Sequence, residues 1–227
     1  MPSPLFCLAS SLNYRNEARQ KVGEGAYDYI MMFFANMDEP ELTVLPTHRL
    51  IFGVSEDKMN SMYDSLVKYF RIKDFDFSND SESGARRQLL DAMKKAGTQD
   101  HYLGMYIKGE NKYSLLELIG EDILLNIQSD KPLSWRRLDV SILQSLILED
   151  ILGFSEESIS RQENLCYVKD VDDSIRKVRD EEYQAAFLLN ATKIEEIKDV
   201  TETGERMPQK STYFYPKCLT GLVINKF

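Results

Sequence analysis

The chain has 227 residues, with 28 Lys and Arg against 37 Asp and Glu for a net charge of −9, and 43% of its residues are hydrophobic. Such values belong to a folded globular chain and exclude a disordered, collagen-like or coiled-coil protein. A pI near 4.9 argues against a broad nucleic-acid or anionic-membrane surface, because each phosphate neutralised needs a Lys or Arg.

In chain order, Asn13 to Val22 reads as a polar helix closed by the turn Gly23-Glu24-Gly25. Tyr27 to Met37 is apolar and aromatic and predicts a buried strand, followed by a turn at Asp38-Glu39-Pro40. Leu42 to Phe52 predicts a second extended segment, broken at Pro46. Ser55 is the expected N-cap of a helix reaching Phe70, with Met59, Met62, Tyr63 and Leu66 at helical spacing. Ile72 to Phe77 alternates apolar and charged residues, as a half-buried strand does. Ser83 to Ala96 predicts an amphipathic helix ended by Gly97. His101–Lys108 and Lys112–Ile119, joined by Gly109-Glu110-Asn111, predict a hairpin.

The second half opens with the most apolar helix, Trp135 to Leu152, stopped by Gly153. A short strand is expected over Leu165–Val168, a charged surface helix over Val171–Tyr183 and a compact strand over Ala185–Leu189. Thr192-Lys193-Ile194-Glu195 has the form of a capping box opening a helix to about Val200. Lys210–Tyr215 and Leu219–Asn225 read as extended segments around Pro216. Antiparallel-looking strands with interleaved helices make the expected fold class α+β.

The charge is uneven. Residues 149 to 205 hold sixteen acids and seven bases, which is −9, while Arg206 to Phe227 has no acid and four bases. A second acid-free stretch, Leu42 to Ser55, contains His48 and Arg49. Cys7, Cys166 and Cys218 are few, odd in number and far apart, so neither a disulfide framework nor a zinc ribbon is suggested and a cytoplasmic location is expected. No apolar run reaches the ~18 residues of a membrane span.

Site motifs are mostly missing. No phosphate-cradling G-x-x-x-x-G-K-[ST] occurs, and no G-x-S-x-G nucleophile turn. Gly23-Glu24-Gly25 has Asp28 where a dinucleotide fingerprint needs its third glycine. His48 and His101 are the only histidines, so no metal site is expected.

Two segments do carry chemistry. Thr47-His48-Arg49, between apolar residues, offers a bidentate fork for phosphate or carboxylate in Arg49 and a candidate proton donor or shuttle in His48. The plainer reading is an Arg49 paired with a structural carboxylate beside a hydrogen-bonded His48. Lys210, Ser211, Thr212, Tyr213 and Lys217 concentrate donors without a nearby acid, which suits an anionic ligand. Strand alternation would place Ser211, Tyr213 and Tyr215 on one face and Lys210, Thr212 and Phe214 on the other. A sheet edge protected by solvated lysines is the alternative.

These same segments carry a resemblance. Residues Asn36 to Arg49, Ala186 to Thr192 and Glu205 to Lys217 resemble, in order, the hallmark motifs of the domain-of-unknown-function family 1015. The resemblance implies a bacterial or archaeal cytoplasmic protein, sometimes labelled ParB-like. It also implies a longer N-terminal half ending in a Gly-His-His-Arg-type motif like the phosphate signature of ParB-like and sulfiredoxin-like nucleotide-binding proteins. Phe6-Cys7-Leu8-Ala9-Ser10 stands in that place here, with neither His nor Arg. Residues 1–25 are therefore expected to be the remnant of that half, and 26–227 the C-terminal domain, with a subdivision at 130/131. A nucleotide is the cofactor class implied, through the half that is missing.

Two functions follow as expectations. The first is the C-terminal portion of a nucleotide- or phosphate-binding enzyme, such as a small-molecule phosphotransferase, in which Arg49, Lys210 and Lys217 hold phosphoryl charge, His48 moves or donates a proton, and Ser211, Thr212 and Tyr213 orient the ligand. The second is a non-catalytic scaffold whose acidic stretch 149–205 faces a partner. DNA is not an expected partner: the second helix of a helix-turn-helix drawn over Leu138–Ser160 would bring Glu156 and Glu157 to the phosphates.

Overall fold

A computed structural model describes residues 4–30, 36–39, 41–77, 81–95 and 100–217, with the backbone alone for 4–10. The chain forms two compact units, Met1–Thr43 with Phe214–Phe227, and Val44–Tyr213. Among the described residues no helix is long and apolar enough to cross a membrane.

The smaller unit contains helix α1, Pro4–Val22. It begins nine residues before the predicted start at Asn13 and stops at Gly23, whose φ of +81° is open to glycine at no steric cost. Arg19 closes the following turn on Asp28 at 2.6 Å. The buried strand expected from Tyr27 is not there: Ala26–Asp28 is a turn of 3₁₀ helix and Tyr29 is 77% exposed. Residues 31–35 of that expectation lie outside the described residues.

The larger unit is built on a fully antiparallel six-stranded sheet. After a short β1, Thr43–Leu45, come β2 (His48–Ile51), β3 (Phe70–Asp76), β4 (Tyr102–Ile107), β5 (Lys112–Leu118), β6 (Leu165–Val168) and β7 (Ala185–Leu188), in the spatial order β3-β5-β4-β7-β2-β6. A last strand, β8 (Tyr213–Tyr215), pairs with β1 in a separate two-stranded sheet.

Strand alternation sorts the side chains into two cores. Ile51, Leu103, Met105, Leu116, Ala185 and Phe187 face one side, where α2 (Glu56–Leu66) and the helical segment 133–152 pack. Leu50, Tyr106, Tyr113, Leu115, Ala186 and Leu188 face the other, against α3 (Glu82–Lys94) and α7 (Val171–Asp180). Both faces of β2 and β7 are covered, so their four residues each are all buried. The α+β class follows from this arrangement: helices on both faces of an antiparallel sheet.

Several boundaries move. α2 ends at Leu66 rather than Phe70, which opens β3. Ser81, not Ser83, caps α3, accepting the Gly84 N–H. The expected helix Trp135–Leu152 divides into α4 (Leu133–Arg136), α5 (Asp139–Ile142) and a π-helical stretch, Leu143–Ile151. The wider π turn spreads burial over consecutive Leu146, Ile147 and Leu148, which a strict 3.6-residue stripe would not present to one neighbour. A short α6, Glu156–Arg161, follows. The capping box is also displaced by one residue. The Glu196 carboxylate accepts the Lys193 N–H at 2.7 Å at the start of α8, Ile194–Glu202.

Candidate functional site

β2 sends its two candidate side chains to opposite faces. Arg49 lies opposite Tyr167 and Phe187, and His48 opposite Val168. A joint site for imidazole and guanidinium is therefore divided by the sheet itself.

On the first face, Arg49 is 4% exposed. It donates through Nη1 to the Thr47 carbonyl and through Nη2 to the Lys210 carbonyl at 3.2 Å, and its guanidinium carbon lies 5.3 Å from the centre of the Tyr167 ring. Burial lowers its pKa to about 10, with Tyr167 opposing, so it is charged at neutral pH. The plainer expectation, a structural carboxylate, is not met: among the described residues none lies within ion-pair distance of Arg49, Lys169 or Lys210. Two of the five guanidinium N–H groups are engaged with described residues, both on neutral carbonyls.

The tail reaches this face through a turn, not a strand. Lys210 has φ of +56°, and the Ser211 N–H and Oγ both donate to the Pro208 carbonyl. Alternation over Lys210–Tyr215 consequently holds only for Tyr213–Tyr215. Ser211 is buried and Thr212 half-buried. The Lys169 ammonium, just beyond β6, lies 3.5 Å from the centre of the Tyr213 ring. Lys169 is the residue the sequence reading missed; its place beside Tyr213 depends on a tertiary contact between β6 and the tail. Lys217 is exposed and belongs to the smaller unit.

On the second face, His48 is 1% exposed and its Nδ1 accepts the Leu189 N–H at 3.2 Å. The ring proton is then on Nε2, which has no partner among the described residues. Burial, and then the Arg49 charge, lowers its pKa to about 4 against a weak opposing pull from Asp170. His48 is thus a neutral imidazole with its acceptor nitrogen occupied, suited to donating a hydrogen bond.

The motif after β7 runs on into a cleft of about 220 Å³, where Asn190, Ala191 and Thr192 line one wall. Thr192 ties it to the tail, its Oγ1 donating to the Ser211 carbonyl at 3.0 Å. Across the cleft are His101, Asp139 and Glu196. The His101 Nδ1 lies 2.9 Å from Asp139 Oδ1. Burial raises the Glu196 carboxyl, Asp139 adds to this, and the Lys193 N–H and the His101 ring oppose it. In sequence these three are 38 and more residues apart, in a strand start and two helix starts, with no spacing that joins them. Among the described residues no cluster of His, Cys, Asp and Glu suits a metal ion.

Comparison with known proteins adds a family and little else. No curated protein matches the chain. A conserved hypothetical protein from Pyrococcus furiosus is similar in structure, at 15% identity and a TM-score of 0.42, over 80% of this chain and 60% of that one. This chain thus spans 60% of that protein's length. A family model described as a protein of unknown function, DUF1015, matches residues 7–141, which is more than half of the sequence and includes β2 with Thr47, His48 and Arg49. On that match the chain belongs to the DUF1015 family.

Proposed function

We propose that the chain is part of an enzyme that handles a phosphate-bearing small molecule, held on the Arg49 face of the sheet. One observation carries this reading: a buried guanidinium whose charge no carboxylate among the described residues balances. Two neutral carbonyls orient the fork but leave its charge uncompensated, and a buried charge without a counter-ion is costly. An oxyanion supplies that counter-charge and is the ligand that a planar Arg fork fits best. Lys169 and Lys210 add cations, while Ser211, Thr212 and Tyr213 form the wall that carries them. The wider negative charge of the molecule keeps large polyanions away while the local field admits a small one. A nucleotide or a phosphorylated metabolite fits that chemistry. His48 keeps the role of a hydrogen-bond donor on the opposite face.

The scaffold alternative has less behind it. Glu157 pairs with Arg161, Asp173 with Arg176 and Glu181 with Lys177 within the 149–205 stretch, so these three acids already have partners in the chain.

Calorimetric titration with inorganic phosphate, pyrophosphate and ATP tests the reading. Binding is expected in the wild-type chain and a loss of at least tenfold in Arg49→Lys, Lys169→Ala and Lys210→Ala. Undiminished binding in a folded Arg49→Ala, Lys210→Ala double variant overturns it.

A further inference from the structure

The two histidines are held in opposite tautomers. His48 has its Nδ1 occupied by a backbone N–H, which leaves the proton on Nε2. His101 has its Nδ1 on a carboxylate, Asp139 Oδ1, at 2.9 Å. A carboxylate accepts, so Nδ1 of His101 carries the proton and Nε2 carries the lone pair. That Nε2 is buried and has no hydrogen-bond partner among the described residues. The imidazole is 7% exposed and Asp139 23%, so the pair is shielded while its ring borders the 220 Å³ cleft.

Three walls supply the rest. Asn190 is fixed by its Nδ2, which donates to the Met93 carbonyl at 3.0 Å. Glu196 stands in the first turn of α8, tied to the Lys193 backbone. Lys94 and Lys193 bring the only ammonium groups to the lining. The volume is below the roughly 300–1,000 Å³ of common ligand sites, so the occupant is small.

We propose that this cleft is an acid–base site, in which His101 Nε2 takes a proton from a hydroxyl or amino group of a small polar substrate. Asp139 is the positioning residue: it fixes the tautomer and stabilises the imidazolium that forms. In the step the substrate O–H or N–H bond breaks, its proton passes to Nε2, and its electron pair stays on the heteroatom as an activated nucleophile. Nε2 is buried without a partner among the described residues, and a substrate's donor group would complete its hydrogen bonding. Lys94 and Lys193 are the cations placed to face the developing negative charge. Glu196, whose carboxyl burial holds above its ordinary range, is the second proton carrier. The inference stands apart from the anion reading, because none of Arg49, Lys169, Lys210, Ser211, Thr212 and Tyr213 lies in the lining.

The chain has two histidines, so nitrogen-labelled histidine in a His48→Asn variant reports on His101 alone. A pyridine-type Nε2 and a pyrrole-type Nδ1 at neutral pH are expected; an Nε2–H signal overturns the proposal. Diethyl pyrocarbonate then probes the lone pair. Acylation mapped to His101 is expected to be at least tenfold slower in Asp139→Asn of unchanged circular dichroism, and to be slowed by ethanolamine or glycerol. Equal rates in the two proteins overturn it. If Asp139→Asn does not fold, Glu196→Gln takes its place. The charged groups of the cleft beside His101 are Asp139 from α5, Glu196 and Lys193 from the start of α8, Lys94 from α3, and Asp100 before β4.

Discussion

Arg49 donates to the carbonyl of Lys210 across 161 residues of sequence, at 3.2 Å. The same guanidinium holds Thr47 of its own strand, so a single side chain fixes both the entry to β2 and the turn before β8. An ammonium is a point donor and does not reproduce that fork. Arg49→Lys is expected to cost about 2 kcal/mol, the scale of a lost charge-assisted bond to a buried carbonyl. Urea unfolding measures it, and a change below about 0.5 kcal/mol removes the clamp from the account.

Thr192 tests the joint between the cleft wall and the tail without touching either charge. Thr192→Val keeps the shape and deletes the hydroxyl, leaving the Ser211 carbonyl short of a donor. The expected loss is about 1–2 kcal/mol of stability. The phosphate affinity of the Arg49 face should weaken with it if the turn at Lys210 loosens.

Acid should destabilise the chain through His48. Its folded pKa, about 4, lies below the ordinary value near 6.5, so the unfolded state binds the extra proton. The contribution is complete above pH ~6.5 and is lost as the pH falls towards 4, at about 1.4 kcal/mol per pH unit. His48→Asn keeps an acceptor for the Leu189 N–H but does not titrate there. Its stability should be flatter than the wild type between pH 6.5 and 4.5 by roughly that slope; parallel curves would refute the assignment.

Gly104 sits in β4 where α3 presses closest. A methyl group there would lie 2.9 Å from Met93 Sδ and 3.1 Å from Leu188 Cβ. Met93 can swing aside, whereas the Leu188 Cβ is fixed by its strand. Gly104→Ala is expected to cost about 1–3 kcal/mol by overpacking, read as a lower thermal midpoint. No effect would mean that α3 is not seated as described.

Much of the sheet could be read in advance. β2, β6, β7 and the hairpin β4–β5 fall within a residue or two of their predicted spans, because apolar runs bounded by turn residues encode extended chain locally. The start of the strand expected from Tyr27 is instead a turn of 3₁₀ helix with Tyr29 exposed, since apolar content alone does not say where a strand begins. The break at Leu138 and the π turns after Leu143 were hidden because the apolar period continues through them. Arg49 and Lys210 could be singled out by the absence of acids around each. Lys169 could not, being embedded in the most acidic part of the chain, and its place beside Tyr213 is a tertiary contact that no local pattern encodes. His101 and Asp139 show the same limit: each reads as an ordinary helix- or strand-end residue until the fold puts 2.9 Å between them.

The strand order β3-β5-β4-β7-β2-β6 has a consequence for how the protein is made. β2 finds both its neighbours, β6 and β7, only after more than a hundred further residues have been synthesised, and β4 also waits for β7. A nascent chain emerging from the ribosome would therefore hold unsatisfied strand edges until β6 and β7 appear, and an Arg49 fork without its second carbonyl until the turn at Lys210 appears. Closure of such distant pairings is slow, which makes the half-made chain the state in which this protein is most exposed to aggregation and to proteases.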